Sequence, residues 1–284
     1  MKSVFSVDAE DWFHILDINS APNIEQWGRK ESRIEKNLYK ILDTFDTTGT
    51  KVTLFFLGWI AEKLPELVKE VDARGHEIAS HGYGHQLIYT QARHEFAEDI
   101  RKTKAILEDI TGKQVLGYRA PGFSIIDNTK WAFDELCQAG YRYDSSIFPA
   151  SRGHGGIIGA KLHPHKIQLD GGDLIEFPIT VVNIMGKKLC FSGGGYLRIF
   201  PYAFIRYFSK VVKKDGRPVI YYIHPREIDP GHPRLHMGLL RYFKSYVNLH
   251  TTMFKVKKLL CDEELTSFRD FLTDKRNWKR YFEC

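Results

Sequence analysis

Two histidines four positions apart, His81 and His85, follow a short apolar run and share a turn with Gly82 and Gly84. Imidazoles at that spacing converge on one ion where the segment turns helically. Zinc suits imidazole and carboxylate donors, and three protein ligands leave a position open for water. The missing negative charge is available in Asp8-Ala9-Glu10-Asp11. Hydrolytic chemistry needs two carboxylates there, one on the metal and one as base for the attacking water. Asp8 ends an apolar run and suits the base; Asp11 and Glu10 are both open as the ligand. The plainer alternative makes the acids a helix cap before Trp12-Phe13-His14 and the histidine pair two ordinary members of a chain with 12 histidines. No Glu follows His81, so the H-E-x-x-H metalloprotease pattern is absent.

Further polar residues stand directly after apolar runs. Arg119-Ala120-Pro121-Gly122 offers a guanidinium suited to orienting a carboxylate, with Asp8 the expected partner. His224 follows Pro218 to Ile223 and suits a proton donor tuned by a nearby carboxylate. In parallel α/β folds ligands bind beyond the carboxyl ends of strands, so these positions would face one site.

The elements needed to place them are legible in the periodicity. Val4 to Val7, Val52 to Phe56, Glu77 to Ala79, Val115 to Tyr118 and Tyr141 to Tyr143 read as strands, and Ile175 to Phe177, Ile179 to Val182 and Pro218 to Ile223 resume the pattern. Between them, Ile34, Leu38, Ile41, Leu42 and Phe45 fall at helical spacing, as do Ile60, Leu64, Leu67, Val68 and Val71 before Gly75. Gln91 to Thr111 reads as a helix stopped by Gly112, and Tyr202 to Lys213 as another. The stretch 148–173 reads as a long functional loop. Residues 239–284 read as a helical C-terminal extension of one catalytic domain spanning 1–284. Alternating strands and helices imply an α/β fold with a helix-covered parallel sheet.

The 284 residues are 43% hydrophobic and 27% charged, which excludes a disordered chain. The formal charge of +6 is spread along the sequence and implies no nucleic-acid partner; it suits an anionic glycan or a membrane headgroup surface. The cysteines Cys137, Cys190, Cys261 and Cys284 lack metal or disulfide spacing and read as free thiols. Without a leader-like segment or a bilayer-length apolar run, the expected location is the cytoplasm, with room for peripheral contact at the inner membrane face.

Ser6-Val7-Asp8-Ala9-Glu10-Asp11-Trp12, Gly75-His76-Glu77-Ile78-Ala79-Ser80-His81 through His85, and Tyr118-Arg119-Ala120-Pro121-Gly122 together resemble the polysaccharide deacetylase family of carbohydrate esterases, which includes chitin and peptidoglycan deacetylases. Tyr143 to Pro149 and Tyr222 to Pro230 resemble the branch associated with exopolysaccharide and O-antigen loci. The resemblance implies a distorted (β/α) barrel of seven strands and a divalent metal, zinc by preference. It further implies Asp8 as base, His81 and His85 as ligands, Arg119 as the base's partner, His224 as acid, and the Gly122 N–H as oxyanion donor. The family's adjacent aspartates are here separated by Ala9 and Glu10, and Asp11 is preferred to Glu10 as third ligand. Asp144 stands in for the Asp-Trp pair that tunes the acid histidine.

The activity so implied is removal of N-acetyl groups from amino sugars of a bacterial polysaccharide or its lipid-linked precursor. A C–N hydrolase of small amides or cyclic imides on the same fold, and an inactive glycan-binding subunit, are the alternatives.

Overall fold

A computed structural model describes residues 1–151, 153 and 155–283. Strand β1 (Ser3–Ala9) is buried along its whole length and lies second from one end of the main sheet. The other strands are β2 (Thr53–Phe56), β3 (Glu77–Ser80), β4 (Gly117–Tyr118), β5 (Tyr143–Asp144), β6 (His165–Leu169), β7 (Gly172–Glu176), β8 (Val181–Ile184), β9 (Lys187–Cys190), β10 (Ile220–Ile223) and β11 (Leu265–Thr266). The main sheet runs β10-β1-β2-β3-β4-β5-β7-β6, with β11 added beside β1.

From β10 through β7 every pairing is parallel, so seven strands form the expected parallel run. The ladder is mixed at its far end, where β6 returns antiparallel on β7, and among the described residues it is not closed into a hydrogen-bonded barrel. The architecture is a mixed α/β sheet with helices, a distorted open barrel.

Register explains why the site exists. Ala9 pairs with Phe56, Phe56 with Ser80, Ser80 with Tyr118 and Tyr118 with Asp144, while Val7 pairs with Ile223. The strands therefore end nearly level, and the residues that follow (Glu10, His81, Arg119, Ser145, His224) emerge at one rim. Apolar side chains on both faces make the strands almost wholly buried, as a helix-covered parallel sheet requires. The helix Ile34–Asp46 buries Ile34, Leu38, Ile41, Leu42 and Phe45 against this sheet, the face anticipated by their spacing. The helix Arg93–Thr111 ends at Gly112 in the left-handed region (φ 66), as its sequence implies.

Four segments differ from the sequence reading. The pattern from Ile60 to Val71 is two helices, Gly58–Lys63 and Pro65–Ala73, because Pro65 suits a first turn and cannot continue the preceding helix. The stretch 148–173 contains β6, whose pairing with β7 supplies order that a half-exposed strand does not signal in sequence. The run from Ile179 leads into β8, which leaves the main sheet to form a separate hairpin with β9. Residues 239–284 hold the helices Leu239–Tyr246, Thr252–Asp262, Phe268–Thr273 and Lys275–Tyr281 and also β11, a strand too short to show periodicity. Cys137, Cys190 and Cys261 form no disulfide among the described residues; Cys284, Arg152 and His154 lie outside them. No helix among the described residues is long and apolar enough to cross a membrane.

Gly117, the first residue of β4, shows how tightly the sheet is packed beneath the rim. A Cβ there would lie 2.0 Å from the ring of Tyr143, whose hydroxyl donates to Glu77 at 2.8 Å. Gly117→Ala is expected to lower stability by about 1–3 kcal/mol through overpacking, measured as a shifted urea midpoint at constant slope. An unchanged midpoint would mean that Tyr143 has room to move.

Candidate metal centre and active site

The first acidic residue of the rim belongs to an ion pair. Asp8 Oδ1 accepts from Arg119 Nη1 at 2.6 Å, both side chains being buried. Arg119 also donates to Ser6 Oγ, to the Ser145 carbonyl and to Ser145 Oγ, and its guanidinium lies 4.2 Å from the centre of the Phe55 ring. The predicted Asp8–Arg119 partnership is thus present, and it fixes the carboxylate so that Oδ2 is turned toward His224 Nε2, 3.7 Å away.

The next acid settles which carboxylate meets the histidines. Glu10, His81 and His85 bring one potential ligand atom each to within 4.8 Å of one another, all three residues being buried. Asp11, preferred on sequence grounds, points elsewhere. Its Oδ2 accepts from Ser32 Oγ and from the backbone N–H groups of Arg33 and Ile34, and its Oδ1 from the Trp12 N–H. It therefore caps the helix Ile34–Asp46 from outside the helix's own sequence, where Arg33 supplies no side-chain cap. No helix begins at Trp12, so the plainer reading of the cluster, a cap for a helix over Trp12-Phe13-His14, does not hold: the helix that Asp11 caps starts at Ile34.

The histidine pair converges by a route other than a helical turn. Gly82 (φ 73) and His85 (φ 50) both adopt left-handed backbone, and Asp99 from the helix Arg93–Thr111 accepts from the N–H groups of Tyr83 and Gly84. A Cβ at Gly82 would meet Asp99 Oδ1 at 2.9 Å, so the turn and its anchor exclude a side chain. His85, a non-glycine residue at positive φ, is held in a sparsely populated conformation of the kind found at functional sites. Asp99 had no sequence signal, since its partners are backbone groups of a remote loop.

The donor set fits a divalent cation. His81 Nδ1 donates to the Arg119 carbonyl at 2.7 Å, which leaves the lone pair of Nε2 for a ligand, the usual arrangement of a metal-binding imidazole. Burial, aided by His85, lowers the His81 pKa to about 4, so the ring is neutral at pH 7 and available for coordination. Glu10 Oε2 is buried, lies 2.6 Å from His85 Nε2, and meets no other hydrogen-bond donor among the described residues. Two electron-pair donors so close need a proton or a cation between them. Burial would raise the Glu10 pKa, but His85, His224 and His81 more than offset it and hold the carboxyl well down.

His224 completes the rim. Its Nε2 is 3.3 Å from Glu10 Oε1, and its Nδ1 donates to Glu227 Oε2 at 3.2 Å, while its backbone N–H donates to the same oxygen. Burial would lower its pKa, yet Glu10, Glu227 and Asp8 raise it above the ordinary histidine value. Asp144, expected to tune this residue, does not reach it. Ser146 donates to Asp144 from its hydroxyl and its N–H, and that hydroxyl in turn accepts from the Ala120 N–H, so Asp144 supports the Arg119–Gly122 loop from behind. Burial raises the Asp144 and Glu176 pKa values, and the charge of Asp144 raises that of Glu176 further. Glu227 occupies the tuning position, three residues after the histidine it serves. The sequence reading quoted Glu227 inside His224-Pro225-Arg226-Glu227 without assigning it a role.

These groups floor a cavity of about 350 Å³, lined also by Gly122 (φ 63), Tyr196, Tyr222 and residues of the helix Leu239–Tyr246. His14 belongs to this lining and went unassigned in the sequence reading. Its Nδ1 accepts from the Asp11 N–H at 2.9 Å, which puts the proton on Nε2, a buried donor with no partner among the described residues. The arrangement can hold a cation, a base and an acid around one small polar group.

Comparison with known proteins gives the same direction. Residues 30–143 match the family described as polysaccharide deacetylase, and residues 145–273 match a family described as a domain of unknown function, DUF3473. The chain is 36% identical over 97 residues to a peptidoglycan-N-acetylglucosamine deacetylase of Bacillus cereus, covering 34% of this chain and 35% of that protein. It thus spans about a third of the length of that relative. A Mycobacterium smegmatis structure assigned by name to the polysaccharide deacetylases shares the fold at a TM-score of 0.63 and 18% identity, over 98% of this chain and 92% of that one. The structure of Puue allantoinase does so at 0.61 and 16% identity, over 98% and 89%. The chain therefore carries a domain of the polysaccharide deacetylase family, and its Arg119, His81 and His85 lie inside the matched segment.

Proposed function

We propose that this protein is a metal-dependent deacetylase that removes N-acetyl groups from amino sugars of a bacterial polysaccharide or of its lipid-linked precursor. One observation carries the reading: the Glu10, His81 and His85 ligand atoms lie within 4.8 Å of one another in a cavity that also presents Asp8 and His224. Glycan binding alone would need no ligand set, base and acid together.

In this reading Glu10, His81 and His85 hold a divalent cation, zinc by preference. When bound, such an ion supplies Lewis-acid polarisation of an amide carbonyl and acidifies water. Asp8 is the base. Arg119 occupies its Oδ1, orienting Oδ2 to take a proton from the attacking water. The Gly122 N–H, on a backbone that only glycine adopts readily, is the donor toward the oxyanion. His224, protonated and held by Glu227, gives its proton to the departing amine as the C–N bond breaks. The products are a free amino sugar and acetate, and water supplies the atoms that balance them.

Acetate release from a panel of N-acetylated oligosaccharides tests the proposal, with loss of activity on dialysis against a chelator and recovery on adding zinc. Deacetylation that survives complete metal removal would overturn the metal role. Turnover of a cyclic imide without release of acetate would favour the alternative hydrolase.

A further inference from the structure

The helix Leu239–Tyr246 is fixed so that its outer face cannot turn inward. Arg198 holds its end, with Nη1 and Nη2 donating to the carbonyls of Ser245, Val247 and Lys244, and Arg241 Nη2 donates to the Leu16 carbonyl at 3.0 Å. Arg241, Lys244 and Ser245 line the cavity, so this helix forms part of its rim. Leu239, Leu240 and Phe243 are left 91%, 68% and 56% exposed. Spacings of three and four residues put them on one side of the helix together with Lys244, which is also exposed. Single exposed apolar residues are ordinary on a protein surface, whereas a fixed cluster of them beside a cavity marks a docking surface.

The chemistry of the surroundings says what covers that face. Contrary to the even spread of charge expected from composition, residues 177–261 hold 15 Lys and Arg against 3 Asp and Glu, and no acid lies between 230 and 261. The same segment carries 10 of the 15 large apolar side chains that are exposed among the described residues. The next helix, Thr252–Asp262, repeats the pattern, with Phe254 58% exposed and the exposed Lys257 and Lys258 three and four residues on. Lys255 Nζ donates to the carbonyls of Leu197, Arg198 and Phe200, so this helix is tied to the segment whose Arg198 holds Leu239–Tyr246. Apolar side chains interleaved with lysines on an acid-free stretch are the pattern of an element that lies in a membrane interface. A second copy of the chain fits less well, because a two-fold contact would set this cationic surface against its own like. An anionic bilayer complements both the apolar and the charged part.

We propose that the exposed side of the helix Leu239–Tyr246 docks on an anionic bilayer surface, with Leu239, Leu240 and Phe243 entering the headgroup region and Lys244 meeting lipid phosphate. Docking in this way brings the rim of the cavity to the membrane. It is independent of the deacetylase reading, whereas its consequence, that the amino sugar is taken from a lipid carrier, rests on that reading.

The test is co-sedimentation of the full chain with phosphatidylcholine vesicles and with vesicles of phosphatidylcholine and phosphatidylglycerol in equal parts. The anionic vesicles should bind about tenfold or more tightly, the effect of a few lysines near a charged surface, and the advantage should shrink as salt is added. Leu240→Ser combined with Phe243→Ser should weaken binding to the anionic vesicles by about tenfold or more. Both side chains are exposed, so the urea midpoint of the double variant should match wild type. No binding to vesicles, equal binding to the two kinds, or binding that the double variant leaves unchanged would overturn the proposal. A dimer in sedimentation velocity that the double variant dissolves, without vesicle binding, would assign the face to a second copy instead. Acetate release from a soluble N-acetylated oligosaccharide should be the same in the double variant as in wild type, while release from a lipid diphosphate-linked N-acetylhexosamine in anionic vesicles should fall. Equal loss on both substrates would make the face a glycan platform and overturn the membrane role. Vesicle binding that the double variant abolishes, with no acetate released from any substrate by wild type, would retain the docking surface and reject deacetylation.

Discussion

Glu10→Gln will lose the bound metal and with it at least about a thousandfold in turnover, whereas Asp11→Ala will keep both and lose stability. The contrast follows from where two carboxylates one residue apart are directed. Glu10 lies with His81 and His85. Its amide replacement keeps the size but removes the charge that a hard or borderline cation requires among neutral imidazoles. Second-sphere changes typically cost ten- to a hundredfold in metal affinity, so loss of a ligand should exceed about that range. Asp11 accepts from Ser32, Arg33 and Ile34 at the start of a helix. Removing it leaves buried helix donors unpaired at a cost of about 1–3 kcal/mol. Metal content by atomic absorption and urea unfolding on the two variants decide the matter. If Asp11→Ala loses the metal and Glu10→Gln keeps it, the assignment is reversed.

This pair also marks the boundary of what the sequence could reveal. Apolar runs and helical spacing were sufficient for the parallel order, because strands buried on both faces must be apolar throughout and amphipathic helices must cover them. The rim followed, since residues directly after such strands share a level once the register is parallel. Asp8, His81, His85, Arg119, Gly122 and His224 all line the cavity or hold a residue that does. What sequence could not provide was direction after the strand ends. In Glu10-Asp11 one side chain turns to the cavity and the next to the helix Ile34–Asp46, and no local periodicity governs a turn. The same limit hid His14, Asp99 and Glu227, whose roles rest on contacts with a backbone N–H, a loop and a neighbouring imidazole. Asp144 was misjudged for a related reason. An acid at a strand end was expected to face the site, but Ser146 and Glu176 hold it behind the rim.

The acid side of the site yields the second large effect. His224→Ala should lower kcat by about 10²–10⁴-fold, the range for loss of a general acid, while the metal stays at wild-type content because His224 is not among the clustered ligand atoms. Equal loss of metal would remove the residue from its role as proton donor. Glu227→Gln then tests how the acid is tuned. Burial would raise Glu227, but Arg198 and His224 hold its pKa at about 2, so it is an anion throughout the working range. Burial opposes the charge on His224, and the Glu227 anion is one of the groups that restore it. His224 must carry its proton to donate it, so activity falls as pH rises through its pKa. Taking away the Glu227 charge weakens what opposes burial, the His224 pKa falls, and the alkaline limb of kcat/KM moves to lower pH. The substitution also leaves Arg198 without its anion, a loss of about 3–5 kcal/mol for a broken buried pair. The profile is therefore recorded on protein shown by circular dichroism to be folded at the assay temperature. A merely structural Glu227 would reduce the folded fraction equally at every pH and leave the limb where it was. A limb displaced toward acid, with metal retained, requires that Glu227 act through the charge on His224.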